Sequence, residues 1–412
     1  MGALTRILFV HQTGGWGGAG IMLANIIGAL DRTCFVPVVV CPPGDAVEQL
    51  TRAGAEVHVA PQPIHQFTHI SGYQYPCCHP AFLRGAVGQW RAQSFWRDYF
   101  RESGAEIIHL NAVTLAPLAP AARAAGAKVL CCVQETAVHG LLGLRTRWLR
   151  HLLSTQMDAV VFISEFDRMA AHCAAPLVEV IPNWVNLEQF AADFPQAQAR
   201  RQFDLPEDAR VVLMMGGIDP LKGTLPLLQA FARLAEMPNL HLLIAGNCAP
   251  PPALSGIRRW RQAVREWPHG NYWQRCMDVI AERQLDGRVH LVGMQHAVSP
   301  LYAAADVVAF PAIHPHQARP VLEAGALKKP VVVTDFPQLH EFVQDGVNGL
   351  RVRPGDIGAL AQAIERLVQD APYAARLGEA NYRMTLAKHR QTVNALRFNA
   401  LYQQLRERIA AC

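Results

Sequence analysis

The chain alternates short apolar runs with stretches whose apolar residues recur every three or four positions. In the first half the runs are Ile7–Val10, Val36–Val40, Glu56–Val59, Glu106–Leu110, Lys128–Val133, Ala159–Ile163 and Val178–Ile181. Between the first two, Leu23, Ile26, Ile27 and Leu30 follow the i, i+3, i+4, i+7 spacing of an amphipathic helix. Near-continuous apolar strands alternating with helices predict a parallel sheet covered on both faces. A polar stretch rich in Ala and Gln, Ala191 to Arg210, interrupts this and reads as a linker. The alternation restarts with Val211–Met215, His241–Ala245, Val289–Val292, Val307–Phe310, Val331–Thr334 and Leu350–Val352. The predicted fold class is therefore α/β, with two doubly wound, Rossmann-like domains. A ligand cleft is expected between them, at the carboxyl ends of the strands. The helical spacing from Tyr382 to Ala411 has no strand after it and reads as one long terminal helix.

Length and composition agree with this. A chain of 412 residues, 51% of them apolar, suits two domains and excludes disorder. Its formal charge of +5 is mild, and no basic reading motif marks nucleic acid as a partner. The ten cysteines have no regular spacing and include the adjacent pairs Cys77-Cys78 and Cys131-Cys132, which fits a reducing cytoplasm. The N-terminal apolar run is too short for a signal segment, and none reaches the roughly 18 residues that span a bilayer. A soluble, cytoplasmic protein is expected, touching at most the inner membrane surface.

Two segments depart from the α/β alternation. Gln62 to Arg101 is rich in aromatics, among them Trp90 and Trp96, with Arg84, Arg91, Arg97 and Arg101. Ile257 to Arg275 sets Trp260, Trp267 and Trp273 among arginines. Arginine and tryptophan together suit an anionic membrane surface or a lipid-linked acceptor. The plainer reading is a loop closing over the core. The cluster His65, His69, Cys77, Cys78 and His79 matches no common zinc spacing, so no metal is assigned.

The most informative stretch is Ala305 to Val352. A strand, Val307 to Phe310, runs into a polar loop, and a helix opens at Arg319-Pro320 with Glu323 in its first turn. Such a helix start offers free amides, here around Val321 and Leu322, and a positive dipole end to an anion. A carboxylate one turn in accepts sugar hydroxyls. The combination suits a sugar nucleotide.

The wording of this stretch resembles the donor site of the retaining two-domain (GT-B) glycosyltransferases of family 4. The matching pieces are Pro311-Ala312, Pro320-Val321-Leu322-Glu323-Ala324, Lys329-Pro330-Val331-Val332 and Asp345-Gly346-Val347-Asn348-Gly349-Leu350. Further matches are Asp158 to Ser164 and Ile181-Pro182-Asn183, the latter with Trp184 where glycine is usual. The resemblance implies an acceptor-side domain over 1–190, a nucleotide-sugar domain over 191–385, and a helix over 386–412 that packs back on the first domain. In the loop Met215-Gly216-Gly217-Ile218-Asp219-Pro220-Leu221-Lys222-Gly223, Lys222 matches the family lysine that contacts the donor diphosphate. Many members carry an arginine five residues earlier, where this chain has Gly217; Arg319 is a candidate replacement. Of two family glutamates eight positions apart, Glu323 fits the second, at the ribose. The first position holds Pro315, flanked by His314 and His316, so either histidine becomes a candidate for the sugar hydroxyls.

The N-terminal loop Gly14-Gly15-Trp16-Gly17-Gly18-Ala19-Gly20 contains a literal G-x-G-x-x-G. The dinucleotide reading also needs an acid after the second strand, and that strand ends in Cys41-Pro42-Pro43 instead. Gly17-Gly18-Ala19 resembles the family's Gly-Gly-Ala-Glu loop, with Gly20 in the acidic slot; glycine there lets backbone approach donor and acceptor closely. Glu106 to Asn111 and Val133-Gln134-Glu135-Thr136 resemble the strand ends that face the acceptor, which makes His109 and Glu135 candidates for positioning its hydroxyl.

What the resemblance implies is a retaining glycosyltransferase, moving a hexose-like sugar from a nucleotide-diphosphate donor to a glycan or lipid-linked acceptor in polysaccharide assembly, with no cofactor beyond the donor. Two other readings stand beside it. A sugar-nucleotide epimerase or hydrolase would bind the nucleotide alike and turn over without acceptor. A non-catalytic partner of the same fold would explain the changes at Pro315 and Gly217.

Overall fold

β1 (Thr5–Val10) lies in the middle of a parallel sheet, paired with β2 (Phe35–Cys41) on one side and β4 (Ile107–Leu110) on the other. Phe9 faces Val39 across one pairing and His109 across the other. With β3 (Glu56–Val59), β5 (Lys128–Val133), β6 (Ala159–Phe162) and β7 (Leu177–Val180), the order is β3-β2-β1-β4-β5-β6-β7. The chain winds outward one way from β1 and the other way from β4. The computed structural model describes residues 4–65, 80–135, 141–190, 194–252, 271–315 and 317–410.

A second parallel sheet repeats the scheme as β10-β9-β8-β11-β12-β13, from β8 (Arg210–Met215), β9 (Leu240–Ala245), β10 (Val289–Gly293), β11 (Val307–Phe310), β12 (Val331–Thr334) and β13 (Leu350–Val352). Each sheet therefore has one point where strand order reverses, between β1 and β4 in the first and between β8 and β11 in the second. Open α/β sheets bind ligands outside the carboxyl ends of such strands. Both central strands are buried along nearly their whole length, as parallel sheets covered by helices require.

The chain forms two compact units, one running to Trp184 and resuming at Gln391, the other Val185–Arg390. Two elements differ from the sequence-based expectation. The supposed linker contains the helix Gln196–Gln202, and Ala199, Phe203, Leu205 and Ala209 are buried in the second unit's core. The long terminal helix is two, Ala371–Lys388 and Gln391–Ala410. The last of these belongs to the first unit, where Phe398, Leu401, Tyr402 and Leu405 share a core with Phe9 and Trp184. Each such side chain stabilises the packing by roughly 1.5–3 kcal/mol.

The aromatic segment that departed from the alternation is partly helical. Helices Pro80–Arg91 and Gln93–Glu102 follow the undescribed residues 66–79, and Trp96 and Phe100 are buried under the first sheet. Trp90 stays 77% exposed. Most of Ile257 to Arg275 lies outside the described residues, as do His69, Cys77, Cys78 and His79. Among the described residues no group of three or more His, Cys, Asp or Glu converges on a metal position, and no helix is long and apolar enough to cross a membrane.

Candidate functional site

At the reversal point of the second sheet, β8 ends in Gly216 and Gly217, whose φ angles are +126° and +72°. Only glycine adopts both readily. A Cβ on Gly217 would collide with the backbone of Asn247, so the turn presses directly on the loop after β9. Gly223, at φ +77°, comes equally close to the Pro311 carbonyl after β11. Ile313 N–H donates to the Leu221 carbonyl at 3.1 Å. Thr224 Oγ1 donates to the Gly217 carbonyl at 2.8 Å and accepts from Asp219 N–H at 3.1 Å. The loops after β8 and β11 are thus locked together.

Lys222 projects from this locked turn, its Nζ 5.6 Å from the centre of the Phe310 ring. The ring face is a weak but real partner for an ammonium. Burial lowers the lysine pKa to about 8, with Asp219 opposing the shift. A partly desolvated cation on a rigid loop is an anion receptor.

The helix Arg319–Ala326 starts from the loop after β11. Glu323 is its fifth residue, so it stands in the second turn rather than the first. It is 4% exposed. Oε1 accepts from Arg319 Nε at 2.6 Å, and Oε2 accepts from the Tyr302 hydroxyl at 2.5 Å. Burial and the adjacent carboxylate push the Tyr302 pKa well above the usual phenol range, which keeps this hydroxyl a donor. Tyr302 escapes a reading of the sequence because it sits in an alanine-rich helix, Ser299–Ala304, 21 positions before its partner. The amide cradle is narrower than expected. Pro320 has no N–H, Val321 N–H already donates to the Ala318 carbonyl at 2.9 Å, and the Val321 and Leu322 side chains are core. His316 lies outside the described residues.

The reversal point of the first sheet carries a buried polar chain. His11, directly after β1, has its Nδ1 3.0 Å from Asn111 Nδ2, and Gln134 Nε2 donates to Asn111 Oδ1 at 2.8 Å. Burial lowers the His11 pKa to about 4, against a smaller opposing effect of Gln12. Gly17 caps the helix Gly18–Gly28, and the Cβ positions of Gly17 and Gly18 face open space. Glu135 lines a small cavity with Val113, Thr146 and Asp167. Burial raises its pKa to about 7, although Val113 N–H donates to Oε2 at 3.4 Å.

His109 corrects an expectation. Its side chain is fully buried, Nδ1 is 2.7 Å from the Tyr402 hydroxyl, and the ring packs against Phe9 and Phe398. Burial lowers its pKa to about 3. It faces the terminal helix, not an acceptor.

Two family descriptions match in series, "Glycosyl transferase 4-like domain" over residues 17–184 and "Glycosyl transferases group 1" over residues 195–384. The chain belongs to the group 1, family 4-type glycosyltransferases. It is 29% identical to the D-inositol 3-phosphate glycosyltransferase of Mycolicibacterium smegmatis over 318 residues, 76% of this chain and 64% of that one. It is 31% identical to the lipopolysaccharide core biosynthesis glycosyltransferase LpsE of Rhizobium meliloti over 183 residues, 44% of this chain and 46% of that one. The chain thus spans about half to two thirds of the length of these relatives. Its fold is similar to that of Anabaena HepE, solved with UDP and glucose, at a TM-score of 0.76 and 21% identity, covering 97% of this chain and 99% of that one.

Within this glycosyltransferase family the departures now have physical reasons. An arginine at Gly217 is incompatible with a left-handed turn packed on Asn247. Arg319 shares its charge with Glu323, which accepts from its Nε, while its buried Nη1 has no hydrogen-bond partner among the described residues. At Gly20, an acid would meet the Trp16 ring, which lies 3.2 Å from the Cβ position. A side chain there requires the ring to give way by a few tenths of an ångström.

Proposed function

We propose that this chain is a retaining glycosyltransferase that moves a sugar from a nucleotide-diphosphate donor to a hydroxyl of a glycan or lipid-linked acceptor at the inner membrane face. The observation that carries this reading is Lys222, held over Phe310 where the two central loops of the second sheet are locked. The bond to the anomeric carbon loosens while the ammonium stabilises the departing diphosphate; one such charge-assisted contact contributes roughly 1.5–3 kcal/mol. The departing phosphate oxygen takes the acceptor's proton, so no separate nucleophile is needed. Glu323 receives the ribose hydroxyls, and His316 bears on the choice of sugar. Glu135, with a pKa near neutrality, positions the acceptor hydroxyl. Metal is not required in this scheme. The relative named for lipopolysaccharide core biosynthesis supports a glycan or lipid-linked acceptor, while the one named for D-inositol 3-phosphate points to a small phosphorylated acceptor instead.

A second reading, a non-catalytic partner of the same fold, is favoured by one specific observation. The family arginine is missing at Gly217, and Arg319 is tied to Glu323. Release of nucleoside diphosphate from a panel of UDP, GDP and ADP sugars, with and without a glycolipid extract, separates the readings. Acceptor-dependent release that disappears in Lys222→Ala supports the transferase. Donor binding with no turnover across the panel means a partner protein, and acceptor-independent turnover means a hydrolase or epimerase.

A further inference from the structure

A groove of about 640 Å³ opens in the first unit between helices Pro80–Arg91 and Leu144–Thr155, a size in the range of small-molecule sites, roughly 300–1,000 Å³. Its walls are almost wholly apolar: Trp90, Trp148, Leu144, Leu152, Pro117 and Pro120. Around it cluster exposed hydrophobics that water disfavours. Trp90 is 77% exposed, and Val87, Leu142, Leu144 and Trp148 are also exposed. Exposed apolar patches of this kind mark binding surfaces.

Three polar side chains line this apolar space, of which Gln93 donates to the Gln89 and Pro117 carbonyls at 3.2 and 2.9 Å. Gln89 is 5% exposed, lines the groove, and among the described residues neither its amide oxygen nor its amide nitrogen has a hydrogen-bond partner. A buried amide left this way costs about 1–3 kcal/mol, so its retention points to a ligand that satisfies it. Arg145, also 5% exposed, lines the same wall in the first turn of its helix. From Leu142 to Met157 the chain has three arginines and a histidine but no carboxylate. Tryptophan flanks, a hydrocarbon-sized trough and a cationic end with an unsatisfied amide complement an amphiphile with an anionic head.

We infer that this groove binds the hydrocarbon chain of a lipid-linked phosphate acceptor, with Arg145 and Gln89 meeting its phosphate. The chain lies between Trp90 and Trp148. The phosphate end sits at the start of the Leu144–Thr155 helix, the end that follows β5 and Glu135 in sequence. That helix terminus is the positive end of its dipole. This deepens the transferase reading by naming the acceptor's class, and it rests on that reading only for what the bound lipid is used for.

Binding is measured by calorimetry on the full chain, with geranylgeranyl phosphate below its aggregation concentration as probe and with geranylgeraniol and inorganic phosphate as controls. We expect saturable 1:1 binding of the phosphate ester, at least tenfold weaker binding of the alcohol, and none of inorganic phosphate. Ala86→Trp, which fills the trough, and the pair Trp90→Ala with Trp148→Ala should each weaken binding at least tenfold. Gln89→Leu should do so while leaving the melting temperature unchanged or higher, which a merely structural glutamine would not. UDP binding should be the same in all these variants and should not compete with the probe. Absence of saturable binding, wild-type affinity in Ala86→Trp, or competition by UDP overturns the assignment. Phosphatidylglycerol vesicles bound equally by wild type and Ala86→Trp, with no binding of the single-chain probe, would mean a bilayer-facing surface and overturn it too. The transferase reading fails separately, through loss of donor turnover, whatever the groove binds.

Discussion

Tyr302 donates its hydroxyl to Oε2 of Glu323 at 2.5 Å while Arg319 holds Oε1 at 2.6 Å, so each oxygen of the proposed ribose carboxylate already accepts one hydrogen bond without a ligand. A ribose hydroxyl shares an oxygen with one of these donors or displaces it. Glu323→Ala therefore does more than remove a ligand contact. It leaves a mostly buried guanidinium and a buried phenol without their acceptor, at a cost on the order of 3 kcal/mol. Tyr302→Phe removes one donor from a buried oxygen and costs about 1–3 kcal/mol. The expected order of melting temperature is wild type, then Tyr302→Phe, then Glu323→Ala. Nucleotide affinity in Tyr302→Phe should stay within a few fold. An unchanged melting temperature in Glu323→Ala would mean that this carboxylate is not the buried hub described here.

Lys222 should reveal itself through pH. Its pKa of about 8 means that the unliganded protein loses this charge well below the usual lysine range. UDP affinity should therefore weaken as pH rises from 7 to 9, and the slope should vanish in Lys222→Met, whose affinity is at least tenfold lower at pH 7. The effect on stability has the opposite sign. The unfolded chain binds this proton up to the ordinary lysine pKa, so raising pH above 8 relieves the burial cost and stabilises the fold. Titration of UDP against both proteins across this range is the check.

Restoring the family arginine should fail. Gly217→Arg places a side chain where the backbone has φ +72° and where a Cβ meets Asn247. Left-handed strain for a non-glycine residue costs roughly 1–2 kcal/mol before the collision is counted. The variant should melt lower and turn over no faster than wild type. A gain in turnover at unchanged stability would show that the turn rearranges.

How much of this was legible in the sequence depended on range. β11, β12 and β13 have the bounds read from their apolar runs, because a fully buried parallel strand writes itself as a local block of branched side chains. Lys222 and its glycines were legible for the same reason, as one turn of nine residues. The helix Gln196–Gln202 was read as linker because its own buried residues are only Ala199 and Arg200, and the larger apolar anchors Phe203 and Leu205 lie beyond its end. His109 was misjudged because its partner Tyr402 is 293 positions away. Tyr302 was missed because nothing near it marks it as anything but a helix aromatic. His11 did have a signal, a histidine ending an apolar strand just before a glycine loop.

His109 supplies a test of core against site. Its pKa is about 3 in the fold and near 6.5 when unfolded, so the unfolded state binds the extra proton between those values. Stability from this residue is present above pH 6.5 and is lost as pH falls toward 3, at about 1.4 kcal/mol per pH unit at most. His109→Leu should flatten that part of the acid-unfolding profile and lower stability at pH 7 by losing the Tyr402 hydrogen bond. Its turnover per folded molecule should match wild type. A large drop in turnover at full folding would return His109 to the acceptor site.

Glu135 is the remaining first-unit candidate, and its titration separates a working carboxylate from a trapped one. Burial raises its pKa to about 7, so half the molecules hold it neutral at that pH. If the ionised form positions the acceptor hydroxyl, kcat/KM rises through pH 7, and Glu135→Gln removes both the rise and at least tenfold of the plateau. Stability runs the other way. The fold keeps the proton above the carboxylate's ordinary pKa, so stability from this group is full at low pH and declines as pH rises through 7. Glu135→Gln, neutral at every pH, should therefore melt higher than wild type at pH 8 and lose that decline. Activity and stability moving in opposite directions across one pKa mark a carboxylate kept buried at a cost for its chemistry. A wild-type pH–rate profile in the glutamine variant would leave Glu135 as packing around Val113 and Asp167, and the search for the acceptor group would move to Gln134 and Asn111.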